Sequence, residues 1–174
     1  MSSELVTRAR GFVLHEAARG YFGYIDQRMF SRTRSSDAAR GSLILFDAYY
    51  AGLMLGLTYR KTGTPEMLDR AGIFIQTYPN EYEPYREYIA GLLVDAEVTA
   101  LHSEDYSEQQ LEKSIAKLLQ VASPTRLSPE GMHILNLYAA GGFELLRSNM
   151  GAKPSDPSNF LIRYQALLEN ETGQ

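Results

Sequence analysis

Residues 46–59, FDAYYAGLMLGLTY, are the stretch of sequence that decides the fold. The segment is apolar and aromatic, carries one acidic residue, Asp47, and has small residues at Ala48, Gly52 and Gly56. On an α-helix this four-residue spacing places the small residues on one face, where a second backbone can approach closely. Two glycines inside a helix cost roughly 1 kcal/mol each relative to alanine, so close packing is the expected compensation. We therefore predict a central core helix here.

A membrane span explains the same segment less well. A span needs about 20 largely apolar residues, whereas residues 42–59 number 18 and are interrupted by Asp47. An acid at the centre of a bilayer is costly and requires a partner. The N-terminus also lacks an apolar stretch of signal-peptide length. We therefore expect no membrane association and a cytoplasmic location.

Two later segments resemble the central one. IAGLL at 89–93 is similar to YAGLM at 50–54, and YAAGGF at 138–143 is a looser copy. The intervals between their glycines are irregular, which argues against a solenoid. We predict instead that three core helices cross closely at their glycines, which are Gly52, Gly91 and Gly141; the alternative is a degenerate helical-hairpin repeat.

Capping residues and prolines divide the chain into six predicted helices. Their predicted start signals are Ser35 or Ser36, Thr64-Pro65, Glu83-Pro84, Ser107, Ser128-Pro129, and Ser155 or Asp156. The predicted ends of the first, second, third and fifth helices lie near Tyr59, Thr77, His102 and Asn149. The expected fold is an all-α, single-domain bundle. Residues 1–35 would be an irregular arm (extended, or a short strand or helix), 36–170 the helical domain, and 171–174 a frayed tail.

The composition argues against several kinds of chemistry. The 174-residue chain has 44% hydrophobic residues and no cysteine, so disulfides, thiolate metal sites and cysteine nucleophiles are excluded. It also lacks a Gly-x-Ser-x-Gly elbow, a Walker loop and a Gly-x-Gly-x-x-Gly pattern. We expect a non-enzymatic protein without a cofactor.

Four acids lie within the predicted helices: Asp47, Asp95, Glu97 and Glu144. A di-iron type of cluster would need Glu-x-x-His on each of two helices, and only Glu130 and His133 have that spacing. We expect the acids to face solvent or to pair with arginines, the candidates being Arg86, Arg147 and Arg163. A metal site or enzyme built on these acids and His133 is the least favoured alternative.

Tyrosines cluster in the segment YPNEYEPYREY at 78–88. The chain has twelve tyrosines and no tryptophan, and tyrosine suits interfaces because it offers a large contact area with a polar end. The predicted partner-binding residues of this segment are Tyr78, Tyr82, Tyr85, Arg86 and Tyr88. The alternative is that the rings line a corner at the start of a helix.

The N-terminal arm is basic, whereas the rest of the chain is acidic. Residues 1–40 carry seven arginines and four acids, a net charge of +3, against −7 for residues 41–174. Arginines interleaved with aromatic rings can stack on bases and bind phosphates, but they also dock onto acidic proteins or onto the chain itself. The predicted binding residues of the arm are Tyr21, Phe22, Tyr24, Arg28, Phe30, Arg32 and Arg34.

These features favour a helical adaptor or accessory subunit that contacts larger protein subunits of an intracellular assembly. The second hypothesis is a small subunit of a nucleoprotein machine, such as a DNA-processing or phage-defence complex, that touches DNA or RNA through the arm. Steep salt dependence of binding would mark that alternative. A homodimer is a further alternative, because closely packed glycine helices can also meet between chains.

Overall fold

The computed structural model describes residues 10–25, 43–102 and 107–171, and this part of the protein is mostly helical. A two-stranded sheet accompanies the helices, so the all-α expectation is not confirmed. Two 3₁₀ turns, Pro65–Met67 and Glu83–Tyr85, precede β2 and α3 respectively. The elements in chain order are β1 (Phe12–His15), α1 (Ala18–Tyr21), α2 (Leu45–Thr58), β2 (Leu68–Ile75), α3 (Arg86–His102), α4 (Glu108–Leu118), α5 (Pro129–Asn149) and α6 (Pro157–Glu171).

Helices α2 and α5 form the centre of the molecule and cross at their glycines. A Cβ added to Gly52 would lie 2.9 Å from the carbonyl oxygen of Ala139, and one added to Gly142 would overlap the carbonyl oxygen of Gly52. Most of α2 is buried. The predicted central helix and its small-residue face are therefore confirmed.

The predicted three-helix crossing is wrong for α3. A Cβ added to Gly91 would meet no atom within 4 Å. Helix α3 packs instead through other positions, where Ile89, Leu93 and Ala96 are buried. Gly141 does lie close to backbone, but that backbone belongs to residues 61–63, which follow α2.

Helix α2 begins later than its predicted start at Ser35 or Ser36. Those two serines lie outside the described residues, but Leu43 and Ile44 are not helical, and Ile44 has extended backbone angles. The N–H of Ile44 donates to the carboxylate of Asp47 at 2.8 Å. Asp47 therefore caps the first turn, because it satisfies a backbone N–H that the helix itself cannot.

The second predicted helix, from Thr64 to near Thr77, is wrong. Its proline start signal produces only the 3₁₀ turn Pro65–Met67, after which the chain extends into β2. Strand β2 pairs antiparallel with β1, and Phe12 lies opposite Ile75. β-Branched and aromatic residues at 73–75 favour a strand, and Gly72 takes a positive φ of 82° that an α-helix does not allow.

The other start signals are confirmed. The N–H of Gln110 donates to the Ser107 hydroxyl, and the Gln110 side-chain oxygen accepts from the N–H of Ser107, which is a capping box. Helix α5 begins after Ser128, whose hydroxyl accepts from the N–H of Gly131 at 3.0 Å. Asp156 accepts from the N–H of Asn159 at 2.9 Å at the start of α6.

Residues 10–25 share the core of the helices. Phe12, Leu14 and Phe22 are buried within it. A buried amide, Asn136 of α5, ties β1 to the centre: its side-chain oxygen accepts from the N–H of Val13 at 3.0 Å, and its nitrogen donates to the carbonyl of Gly11 at 3.1 Å. The same oxygen accepts from the hydroxyl of Tyr49 on α2 at 2.8 Å.

Within the described ranges, none of the helices combines the length and apolar character that crossing a bilayer requires.

Candidate protein-docking surface

The aromatic residues at 21–24 face the core. Phe22 is fully buried, and its ring lies 5.2 Å from that of Phe160 and 5.9 Å from that of Phe143, measured between centroids. Tyr21 is also buried and Tyr24 is half-buried. Arg28, Phe30, Arg32 and Arg34 lie outside the described residues. Partner binding by these residues stays a prediction.

The tyrosine-rich segment divides into an inner and an outer part. Tyr78 is buried, and burial raises its pKa. Tyr82 lies in the turn before α3, and its hydroxyl donates to Asp47 at 2.5 Å. Tyr85 and Tyr88 are 56% and 60% exposed. The two outer tyrosines are therefore available for contacts, while the two inner ones line the corner where α2 and α3 begin.

An apolar groove lies on α3, next to these outer tyrosines in the chain. The groove has a volume of about 470 Å³ and opens to solvent between α3 and residues 119–126. Its lining residues are Glu87, Ala90, Gly91, Val94, Leu119, Val121 and Arg126. Val121 is 81% exposed. Open grooves with an apolar lining are a common place for a partner segment to bind.

The floor of the groove depends on Gly91. Because this residue has no side chain, and no atom lies within 4 Å of the place where a Cβ would be, the backbone of α3 is bare at this point. A residue with a side chain would fill the space between Ala90 and Val94. Another backbone can therefore approach α3 closely here, as α5 approaches α2 at the glycines of the core.

Hydrogen bonds hold the opposite wall in place. The loop after α4 is closed by a bridge between Leu119 and Leu127, and the N–H of Gln120 donates to the carbonyl of Arg126 at 2.9 Å. The Arg126 guanidinium donates to the carbonyl of Val121 at 2.5 Å. Val121 is therefore presented to solvent by a loop with a fixed shape, which lowers the entropy cost of binding.

The rim of the groove carries charge. Arg126 lies 3.3 Å from the carboxylate of Glu87, whose side chain is largely exposed. Residues 81–97, which include most of α3, contain five acidic side chains and one basic side chain, Arg86. Arg86 in turn pairs with Glu83 at 3.3 Å. The groove lining therefore holds one acid and one base that pair with each other, while α3 itself carries three acids (Glu87, Asp95 and Glu97) and one arginine.

The helix acids bind partners within the fold. Glu144 lies 2.9 Å from Arg147, as expected, and 2.8 Å from Nε2 of the buried His15. Glu97 accepts from the hydroxyl of Tyr138 at 2.8 Å, and the exposed Asp95 lies 3.6 Å from Arg60. The described residues contain no group of three or more acids and histidines placed to hold a metal ion.

Neither a protein-family model, nor a curated protein, nor a solved structure matches this chain. The sequence patterns did not predict this site, because its two walls are separated by about thirty residues and Val121 is an isolated apolar residue in a turn. The sequence feature that came nearest to predicting the groove was the tyrosine segment at 78–88, which leads into α3.

Proposed function

We propose that this protein is a non-enzymatic adaptor or accessory subunit that binds a helix of a partner protein in the groove between α3 and residues 119–126. The observation that supports this proposal is the groove itself. Its lining is apolar, the backbone of α3 is uncovered at Gly91, and the highly exposed Val121 lies on a hydrogen-bonded loop. An amphipathic helix that lays its apolar face into such a groove is a recurring mode of recognition.

The charge around the groove favours a basic occupant. Helix α3 carries more acids than bases; its exposed Glu87 and Asp95 each lie near one arginine, Arg126 and Arg60, in solvent-exposed pairs that a stronger cationic partner could replace. A helix whose apolar stripe is bordered by lysine or arginine would complement these charges, and complementary charge increases the association rate and selects the partner. The partner segment we propose is therefore a basic amphipathic helix.

The two outer tyrosines extend the contact surface along the chain. Tyr88 precedes Gly91 by three residues on α3, so the two positions lie on neighbouring parts of the helix surface. Tyrosine is enriched among the residues that carry binding energy at interfaces. Tyr85 and Tyr88 would pack beside the bound helix, and their hydroxyls would stay exposed to solvent at the rim of the groove.

Photo-crosslinking in the native cells tests this proposal. Benzoylphenylalanine replaces Tyr88 in one variant and Ile162, an equally exposed position on α6 at 68%, in a matched control. The expected result is one protein crosslinked from position 88 and not from 162, through a segment rich in leucine or isoleucine and in lysine or arginine. The V121E change should abolish that crosslink.

Several outcomes would overturn the proposal. A crosslink from position 88 to an acidic segment would contradict the charge argument. A crosslink to a second copy of this chain would make the groove a homodimer interface. A crosslink to nucleic acid would favour the nucleoprotein hypothesis, and no crosslink at either position would mean that the groove binds no protein.

A further inference from the structure

A second cavity lies on the other side of the loop that forms the groove. It has a volume of about 300 Å³, at the lower end of the range for small-molecule sites. It is bounded by the chain after β2 (Gln76 and Thr77), by residues 120–125, and by the first turn of α5. Arg10 lies at its edge. The seven residues that line the docking groove do not line this cavity, although both sites share the loop at residues 119–126.

The polar lining of the cavity has one sign of charge. Arg10 is its one charged residue, and no aspartate or glutamate lines it among the residues that the structure describes. Within the described part of the chain, the side chains of Arg10, Gln76, Thr77 and Gln120 make no hydrogen bond or ion pair. These four residues are exposed and line the cavity, so their side chains are available to a ligand.

The floor of the cavity is apolar. Leu127 and Met132 are almost fully buried beneath it. The buried hydroxyl of Thr125 is already engaged, because it lies 3.0 Å from the Ser123 hydroxyl and accepts from the N–H of Leu127. The accessible apolar contact therefore comes from the exposed Ala122 and Pro124 and the half-buried Pro129, beside the free hydrogen-bonding groups.

We propose that this cavity binds a small carboxylate anion with a short apolar tail. A guanidinium holds a carboxylate through two parallel N–H···O bonds, and the amides of Gln76 and Gln120 offer further donors at the mouth. The tail would lie against Ala122, Pro124 and Pro129. Phosphate fits less well, because its second negative charge has no second cation among the described lining residues and its polar oxygens gain nothing from an apolar floor.

Titration of the ¹⁵N-labelled protein with butyrate tests the proposal. Butyrate should shift the amide signals of Gln76, Thr77, Gln120 and Ser123 in a saturable way. The R10M variant, which keeps an apolar stem and removes the charge, should weaken binding about tenfold or more. Butyramide, which has the same shape without charge, and inorganic phosphate should both bind at least about tenfold more weakly than butyrate.

Two control variants make the result specific. R70M removes an exposed arginine of β2 that does not line the cavity, so it should bind butyrate as the parent protein does. V94E disables the docking groove from α3, which contributes no residue to the cavity, and should also leave butyrate binding unchanged, so the two proposals can fail separately. Equal affinity in R10M, tighter binding of phosphate, or no saturable shift with butyrate would overturn the assignment.

Discussion

The close crossing of α2 and α5 makes a strong prediction for the G142A variant. A Cβ at position 142 would overlap the carbonyl oxygen of Gly52 and lie 2.8 Å from its carbonyl carbon, whereas carbon atoms in contact are about 3.5–4.0 Å apart. The obstacle is backbone, so no side chain can rotate away and the two helices must separate. Both helices are central to the core, and their separation would disturb packing on both sides.

The size of the effect follows from two opposing terms. Overpacking a well-packed core typically costs about 1–3 kcal/mol, and the backbone clash places G142A at the upper end. Replacing glycine by alanine within a helix stabilises the helix by about 1 kcal/mol. The net loss should be about 2 kcal/mol or more, which lowers the melting temperature of a chain of this size by about 4–8 °C.

Thermal and urea unfolding of a graded series provide the assay. G52A meets the Ala139 carbonyl oxygen at 2.9 Å and the Phe143 nitrogen at 3.2 Å, so it should be destabilised less than G142A. G91A is the matched control, since its Cβ meets nothing within 4 Å, and it should be stabilised by up to about 1 kcal/mol. Equal stability of G142A and G91A would refute the close crossing.

Three further predictions concern polar groups of the core. N136A should lower the unfolding free energy by at least about 3 kcal/mol, because it leaves the Val13 N–H, the Gly11 carbonyl and the Tyr49 hydroxyl without their partner. Y49F should lower it by only about 1 kcal/mol, and equal losses would contradict the central role of the Asn136 amide. D47A should lower the unfolding free energy by about 1–2 kcal/mol, because α2 loses its cap and Tyr82 loses a hydrogen-bond acceptor. An unchanged midpoint of urea unfolding would argue against the cap. Burial lowers the pKa of His15, although the Glu144 carboxylate opposes this, and burial also lowers the pKa of His133. The unfolded chain therefore binds more protons than the folded one as the pH falls below about 6.5, so the free energy of unfolding should decrease in that range. The decrease should be smaller in H15Q and in H133Q. Identical pH profiles of the variants and the parent protein would contradict the burial effect.

Local signals predicted the parts of the fold that depend on local chemistry. The capping box at Ser107 and the proline start at Ser128 fixed the starts of α4 and α5, because both motifs satisfy backbone N–H groups within a few residues. The four-residue spacing of small residues in α2 likewise predicted a close approach, since it places them on one helix face.

Features that depend on distant partners were not predictable in this way. Strand β2 follows a good helix start signal and extends because β1, more than fifty residues earlier, supplies its hydrogen bonds. Gly91 has nearly the same neighbours in sequence as Gly52, yet one faces solvent and the other a helix backbone. The docking groove, formed by α3 and a loop far along the chain, also needed the tertiary structure.

The affinity of the crosslinked partner segment for this protein tests the central claim most directly. The segment identified from position 88 would be made as a labelled peptide and titrated by fluorescence anisotropy against the parent protein, V121E and L161E. Val121 and Leu161 are both exposed, so neither change should unfold the domain. We predict that V121E weakens binding about thirtyfold or more, because a carboxylate buried in the apolar contact costs at least about 2 kcal/mol, while L161E leaves it unchanged. Equal affinities for the parent protein and V121E would contradict the docking groove.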